Sequence, residues 1–197
     1  MDPALPVSRM THAETILRTF DRHLTVPVSL ILYGRAALAL GFDPPLPAAA
    51  LSLDVDVILT IAQSVELDNC PAFWEALDAA NAELQSTGLY LTHLFEESQV
   101  ILRPAWKDHL APLSRPVLQY LQLFRPHALD LLLTKMMRGP DPQDLEDAGF
   151  IIRSASLTRA DVQAAIRQAR LPGVPEIHEA FAQAVPLILQ MAPLHAG

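Results

Sequence analysis

The sequence is poor in several features that mark particular protein classes. Its 197 residues include one cysteine, Cys70, which excludes an internal disulfide and is typical of a reducing compartment. Charged residues make up 18% and hydrophobic residues 51%, a balance that excludes a disordered chain. No apolar run reaches the roughly 20 residues of a membrane span, because Pro, Asp or Arg interrupts each one. The first ten residues lack a basic segment followed by an apolar one, so we predict no signal peptide and a cytoplasmic protein.

Basic residues are also missing from a long part of the chain. From Ala36 to Leu102 there is no Lys or Arg, but there are ten Asp or Glu. From Arg103 to Arg138 there are six basic residues and two acidic ones. The net charge of −8 does not favour indiscriminate binding to nucleic acids. An acidic half with a metal site beside a basic segment would suit a triphosphate or RNA substrate, although ordinary scatter of surface charge gives the same pattern.

Two apolar runs, joined by a Gly turn and a Pro-rich loop, form the stretch around which the chain is organised. The first run, Val28 to Tyr33, predicts a central strand because it is nearly all apolar. Gly34 predicts a turn, and Ala36 to Leu40 a short helix. The loop from Gly41 to Pro47 is stiffened by its prolines, and Leu51 to Thr60 predicts a second strand.

The second of these strands carries two carboxylates, Asp54 and Asp56. Residues i and i+2 of a strand point to the same face, so the two side chains project together. Two ionised carboxylates on one face repel each other, and a bound cation would neutralise them. Mg²⁺ suits such a pair because it binds oxygen and leaves other positions to water and substrate phosphates. The alternative is an edge strand whose polar face meets water.

A second informative block runs from Pro126 to Ile152. Leucines and methionines up to Met137 recur at helical spacing and predict a helix that carries Lys135 at its edge, facing a neighbouring cleft or water. Gly139 and two prolines then break the chain. A second predicted helix carries acidic residues at positions 144, 146 and 147. Alone, a Lys at a helix edge or an acidic helix face is most often just solvated.

The first block resembles the signature of the nucleotidyltransferase superfamily, which has a strand ending in Gly, a short helix, a loop and a strand with Asp-x-Asp. The spacing from Gly34 to Asp54 is similar to that of the minimal, AbiEii-like nucleotidyltransferases of the abortive-infection toxin group. These proteins have Gly or Ser after the turn Gly, whereas this chain has Arg35. Such an arginine could clash with a bound triphosphate or donate to it as a planar fork.

The second block resembles the same group, which has a helix with an exposed Lys, an Arg after it, and an Asp-x-x-Asp helix. The matching residues here are Lys135, Arg138, Asp144 and Asp147. The two blocks in this order are more specific than either one, and together the resemblance covers roughly residues 28 to 153.

The resemblance implies transfer of a nucleoside monophosphate from a nucleoside triphosphate to an acceptor hydroxyl on RNA, tRNA or a protein. It implies that Asp54 and Asp56 hold one or two Mg²⁺ ions, with Mn²⁺ as a substitute. Gly34 and Arg35 would lie against the triphosphate. The implied role of Lys135 is catalytic contact with the phosphates, with Arg138 nearby. Toxins of this kind also imply a cognate antitoxin as partner.

The same resemblance implies nucleotide-binding roles for the two acids of the second block. Either Asp144 or Asp147 would support Lys135 or the metal. The superfamily often has a third carboxylate on the strand after the next helix. We predict two strands there, Leu89 to Phe95 and Gln99 to Arg103, and neither contains Asp. Glu96 and Glu97 lie between them, and we interpret them as a solvated turn.

We therefore predict an α+β, nucleotidyltransferase-like fold, with a small mixed sheet flanked by helices and a helical C-terminal part. Residues 1–125 would form the core and residues 126–197 the helical part, packed on it or continuous with it as a single domain. Arg35 and the missing third carboxylate favour a second hypothesis, a catalytically degenerate relative that binds a nucleotide or a partner protein. The residues do not identify the nucleotide or the acceptor.

Overall fold

The computed structural model of the protein describes residues 10–195, without the side chains of Thr92 and His93. Its α-helices are α1 (His12–His23), α2 (Gly34–Leu40), α3 (Ile61–Asp68), α4 (Pro71–Leu84), α5 (Ala128–Thr134), α6 (Pro142–Ser154), α7 (Arg159–Gln168) and α8 (Pro175–Met191). Its strands are β1 (Val28–Tyr33), β2 (Asp54–Leu59), β3 (Tyr90–Glu96), β4 (Ala111–Pro112) and β5 (Leu121–Arg125). Helices together with one mixed sheet confirm the predicted α+β class.

The five strands form a mixed sheet in the order β3-β2-β1-β5-β4. β1 lies in the middle, antiparallel to β2 and parallel to β5. β2 and β3 are parallel, and β4 and β5 are antiparallel. The predicted strand from Val28 to Tyr33 is confirmed, and its apolar character follows from burial on both faces.

The two faces of the sheet differ in polarity, and this difference creates the site. One face carries Leu30, Leu32 and their neighbours in β2 into the main apolar core beneath α1 and α4. On the opposite face Ile31 and Ile58 pack with Trp106 in a smaller apolar cluster. Continuing along β1 and β2, this second face changes from apolar to aromatic and then to acidic. The acidic end is therefore fixed by the strand register and the apolar cluster beside it.

Capping residues were the most reliable sequence signals for helix starts. Thr11 with Glu14 and Thr158 with Asp161 each have the sequence pattern that predicts a capping box, and these boxes open α1 and α7. Pro175 begins α8, and Pro186 lies inside that helix. Among the described residues, no helix combines the length and the apolar character that crossing a membrane requires.

Three local predictions were wrong. Residues 64–69, interpreted from the sequence as a connector, lie mostly in α3, which a capping box of Thr60 and Gln63 opens. Residues 99–103 do not form a strand, because β3 pairs in parallel with β2 and no hairpin follows it. In this segment Leu102 makes one isolated bridge with Arg170. The predicted helix through Met137 ends at Thr134, and the chain then turns towards Gly139, which has a φ of +68°.

The predicted division at residue 125 has no counterpart in the apolar core. A single cluster of buried residues contains members from both sides of that position, including Leu32, Val57, Leu132 and Ile151. The last strand, β5, ends at Arg125, so the sheet precedes the predicted boundary and helices α5 to α8 follow it. The boundary between two parts remains a prediction, and the continuous core is what a single domain would have.

Candidate active site

A cleft of about 400 Å³ lies where the acidic end of the sheet meets the turn between α5 and α6. It brings together the two sequence blocks that lie about a hundred residues apart in the chain. Its lining residues are Tyr33, Gly34, Arg35, Ser52, Asp54, Asp56, Phe95, Thr134, Lys135, Met137, Arg138, Gln143 and Asp144. Seven of the eight predicted site residues are in this set, and the eighth, Asp147, bonds to two of them, Arg35 and Lys135.

Asp54 and Asp56 form one wall of the cleft. They alternate along β2 with the buried Val55 and Val57, and both remain partly exposed, so their placement on one face is as predicted. The hydroxyl of Ser52 donates a hydrogen bond of 2.8 Å to Asp54 Oδ1. This bond orients the first carboxylate at the start of the strand. Burial on the other face of β2 holds both acids towards the cleft.

Gly34 is required by the position of Asp56. Its φ of +60° is in the left-handed region that other residues rarely adopt. A Cβ added at Gly34 would lie 2.7 Å from Asp56 Oδ2, closer than van der Waals contact permits. The turn backbone therefore lies directly against the Asp56 carboxylate, and any side chain at this position would displace it.

Tyr33 is a cleft residue that the sequence analysis did not single out. It is paired with Asp56 across β1 and β2, and its ring meets Phe95 edge to face with centroids 5.8 Å apart. Burial raises the pKa of Tyr33 far above its ordinary value, and the charges of Asp56 and Asp54 raise it further. The phenol therefore stays protonated. It places a hydroxyl and an aromatic ring beside the two carboxylates.

Lys135 is where the structure departs most from the sequence prediction. The residue is buried rather than exposed at a helix edge, and its side chain is only 9% accessible. It follows the last residue of α5, and its ammonium lies 3.1 Å from Asp144 Oδ1 and 2.7 Å from Asp147 Oδ2. The sequence predicted that either Asp144 or Asp147 would hold Lys135, whereas in the structure both acids do.

Asp144 is shared between two basic side chains. Its carboxylate accepts from Lys135 Nζ and, at 2.6 Å, from Arg138 Nε. Burial alone would raise the pKa of Asp144, but the hydrogen bonds and charges of Arg138 and Lys135 outweigh it and hold the pKa below its ordinary value. Arg138 also contacts Asp141, the residue that caps α6. The acid is thus ionised and fixed on the second wall of the cleft.

Arg35 belongs to this second wall as well. Its guanidinium donates to both oxygens of the fully buried Asp147, at 3.4 and 3.2 Å, and to the Ala48 carbonyl at 3.2 Å. It also lies 3.9 Å from the exposed Glu146. Arg35 therefore joins the start of α2 to the Pro-rich loop and to α6. The sequence predicted only a clash with phosphate or a bond to it, and not this structural role.

The carboxylates of Asp54 and Asp56 fit a hard divalent cation whose remaining ligands are water and phosphate oxygens. Two carboxylates on one strand face are what Mg²⁺ uses when water and phosphate oxygens complete its coordination. Among the described side chains, no group of three or more His, Cys, Asp or Glu could hold a metal by itself. Mg²⁺ or Mn²⁺ would thus be bound mainly together with a phosphate ligand. Three acids, Asp54, Asp56 and Asp144, and three cations, Arg35, Lys135 and Arg138, line the cleft. Asp141, Glu146 and Asp147 pair with these cations but do not line the cleft.

Glu97 lies outside the cleft and is not part of a solvated turn, so that interpretation was wrong. The carboxylate is 7% exposed and accepts hydrogen bonds from the Trp106 indole, Lys107 and the backbone of Ile61. Burial would raise the pKa of Glu97, but these hydrogen bonds lower it overall. Glu97 ties β3 to α3 and to the segment after it. It supplies no third carboxylate to the cleft.

Comparisons with models of protein families, with curated proteins and with solved structures found no match. The resemblance to nucleotidyltransferases therefore rests on the two sequence blocks.

Proposed function

We propose that the protein is a metal-dependent nucleotidyltransferase-like enzyme, which transfers a nucleoside monophosphate from a nucleoside triphosphate to an acceptor hydroxyl of RNA, tRNA or a protein. The observation that carries the proposal is one cleft with an acidic wall, Asp54 and Asp56, and a basic wall, Arg35, Lys135 and Arg138. A metal-bound triphosphate has the complementary charge pattern, since its metal faces acids and its phosphate oxygens face bases.

Different residues of the cleft would have different roles in such a transfer. Asp54 and Asp56 would hold Mg²⁺, which would supply charge neutralisation for the phosphates and Lewis-acid activation of the acceptor hydroxyl. The Gly34 turn, which lies against Asp56, would bring backbone N–H groups to the phosphates. The acceptor oxygen would form a bond to the α-phosphorus while the bond to pyrophosphate breaks, and the hydroxyl proton would pass to solvent. One or more cations of the basic wall would stabilise the charge that develops on the phosphates.

A labelling experiment tests this function. The protein is incubated with each α-³²P-labelled NTP, Mg²⁺ or Mn²⁺, and total RNA or cell protein, and label on the macromolecules is measured. We expect transfer that needs the metal and is lost in Asp54→Asn/Asp56→Asn. Glu66→Gln, a change of an exposed acid on α3, is the matched control and should retain transfer. Absence of label with every NTP and both acceptor pools would contradict catalysis.

A second candidate function is nucleotide or partner binding without catalysis. The specific observation in its favour is that β3 contributes no carboxylate to the cleft, while Glu97 is committed to Trp106 and Lys107. The partner could be a cognate antitoxin, which would bind an inactive relative as well as an active toxin. Calorimetric binding of a Mg²⁺-nucleotide that depends on Asp54 and Asp56, without any transfer of label, is the result that this alternative predicts.

A further inference from the structure

The three cations of the basic wall differ in how firmly they are held. The Lys135 side chain is 9% exposed, that of Arg35 is 16% exposed and that of Arg138 is 57% exposed. All three nevertheless reach the lining of the cleft. The exposed fraction of each side chain and the ion pairs that it makes determine which of the three cations can move to contact a ligand.

Lys135 has little freedom to do so. Its ammonium joins two carboxylates, Asp144 and Asp147, whose side chains are 5% and 0% exposed. Moving the ammonium to a phosphate would weaken both buried pairs at once, and buried charges that lose a partner are strongly destabilising. Arg35 is similarly restrained, because it donates to both oxygens of Asp147 and to the Ala48 carbonyl.

Arg138 is the exception. When its guanidinium swings away, Asp144 still keeps Lys135, and Asp141, with 30% of its side chain exposed, is left to water. More than half of the Arg138 side chain already meets solvent, so the motion buries no charge without a partner. Its planar fork can bind two phosphate oxygens at once.

We infer that Arg138 is the side chain that contacts the phosphates of the ligand, and that Lys135 is a positioning residue that fixes Asp144 and Asp147. This assignment rests on the proposed function and changes the catalytic role that the resemblance implies for Lys135. Asp144 holds Arg138 at the cleft before the ligand arrives. Arg138 exchanges this carboxylate for phosphate, while the Lys135 bridge keeps α6 in place.

Calorimetric titration with Mg²⁺-tripolyphosphate, which has no base or sugar, tests the division. We expect Arg138→Gln to melt within a few degrees of the parent but to bind about tenfold or more weakly, as loss of a charged hydrogen bond implies. The affinity of Arg138→Lys should lie between that of the parent and that of Arg138→Gln. Arg153→Gln changes an exposed arginine on α6 that does not line the cleft, and it should bind like the parent.

A compensated variant separates positioning from contact at Lys135. Lys135→Met alone should melt lower because two buried carboxylates lose a partner. Lys135→Met/Asp147→Asn removes one charge of each sign and leaves the Asp144–Arg138 pair intact, but Arg35 then faces an amide. It should therefore recover part of the lost stability and, at a temperature where it is folded, bind within about threefold of the parent. Affinity tenfold weaker in this folded variant would overturn the assignment, as would parent-like binding by Arg138→Gln. A parent protein that binds no Mg²⁺-tripolyphosphate would overturn the proposed function and this assignment together.

Discussion

Two pairs of aspartates face each other across the cleft, and their surroundings are opposite. Asp144 and Asp147, one helical turn apart on α6, are buried, and each is held by two basic side chains. Asp54 and Asp56, two residues apart on β2, stay partly exposed and are flanked by a serine hydroxyl and a tyrosine ring. The first pair organises protein cations, whereas the second has the surroundings of a site for an external cation. Similar residues at short spacing thus serve structure in one wall and, in the proposed function, ligand binding in the other.

The largest expected effect tests the structural pair. Asp147→Asn should lower the free energy of unfolding by about 3–5 kcal/mol, because Lys135 and Arg35 each lose a buried ionised partner. Urea denaturation at pH 7 measures the change. Glu146→Gln, at the neighbouring exposed position, is the control and should alter stability by less than about 1 kcal/mol. Equal stability for Asp147→Asn and the parent would remove the distinction between the two pairs.

The next effect concerns the site pair. Mg²⁺ at 100 times its dissociation constant should stabilise the parent by about 2.7 kcal/mol through linkage. Asp54→Asn/Asp56→Asn should abolish this response and, without metal, melt at the same temperature as the parent or higher, because a repulsion is removed. Thermal melts with and without Mg²⁺ measure both. A full Mg²⁺ response in the double variant would place the metal elsewhere.

Arg35 gives a smaller effect. Arg35→Ala should reduce the free energy of unfolding by about 1–3 kcal/mol, less than Asp147→Asn, because Asp147 keeps Lys135. Arg18→Ala removes a more exposed arginine paired with Glu14 and should cost at most about 1 kcal/mol. The comparison uses chemical denaturation of the three proteins. If Arg35→Ala loses no more free energy of unfolding than Arg18→Ala, Arg35 does not stabilise the second wall of the cleft.

The smallest effect is a pH dependence on the side of Asp54 and Asp56. The folded-state pKa of Tyr33 is raised by burial and by the charges of Asp56 and Asp54. The folded state therefore binds the phenol proton more tightly than the unfolded state, and stability should fall as the pH rises above about 10. Tyr33→Phe should flatten this alkaline limb in stability measurements from pH 8 to 11, whereas Tyr90→Phe should not. An unchanged limb would argue against a buried phenol beside the two acids.

Short sequence patterns correctly predicted the features that depend only on residues close by in the chain. The apolar run of β1, the capping boxes at Thr11 and Thr158, and the alternation that exposes Asp54 and Asp56 all depend on neighbours within a few residues. The turn at Gly34 was predicted in the same way. These features need no knowledge of the distant chain.

What could not be predicted depends on partners far along the chain. The burial of Lys135 follows from the end of α5 and from the position of α6, neither of which the helical spacing reveals. Arg35 and Asp147 meet across 112 positions. Tyr33 reaches the cleft because the register pairs it with Asp56. Long-range contacts of this kind decide whether a charged residue acts on a ligand or on the protein itself.

A crystal structure with Mn²⁺ and a non-hydrolysable NTP tests the central claim most directly. Anomalous scattering locates the Mn²⁺ without ambiguity. The account predicts a manganese peak about 2–2.5 Å from carboxylate oxygens of Asp54 and Asp56, within coordination distance for a hard cation, and phosphates that extend from it towards Arg138. A peak at other residues, or a nucleotide bound outside this cleft, would contradict it.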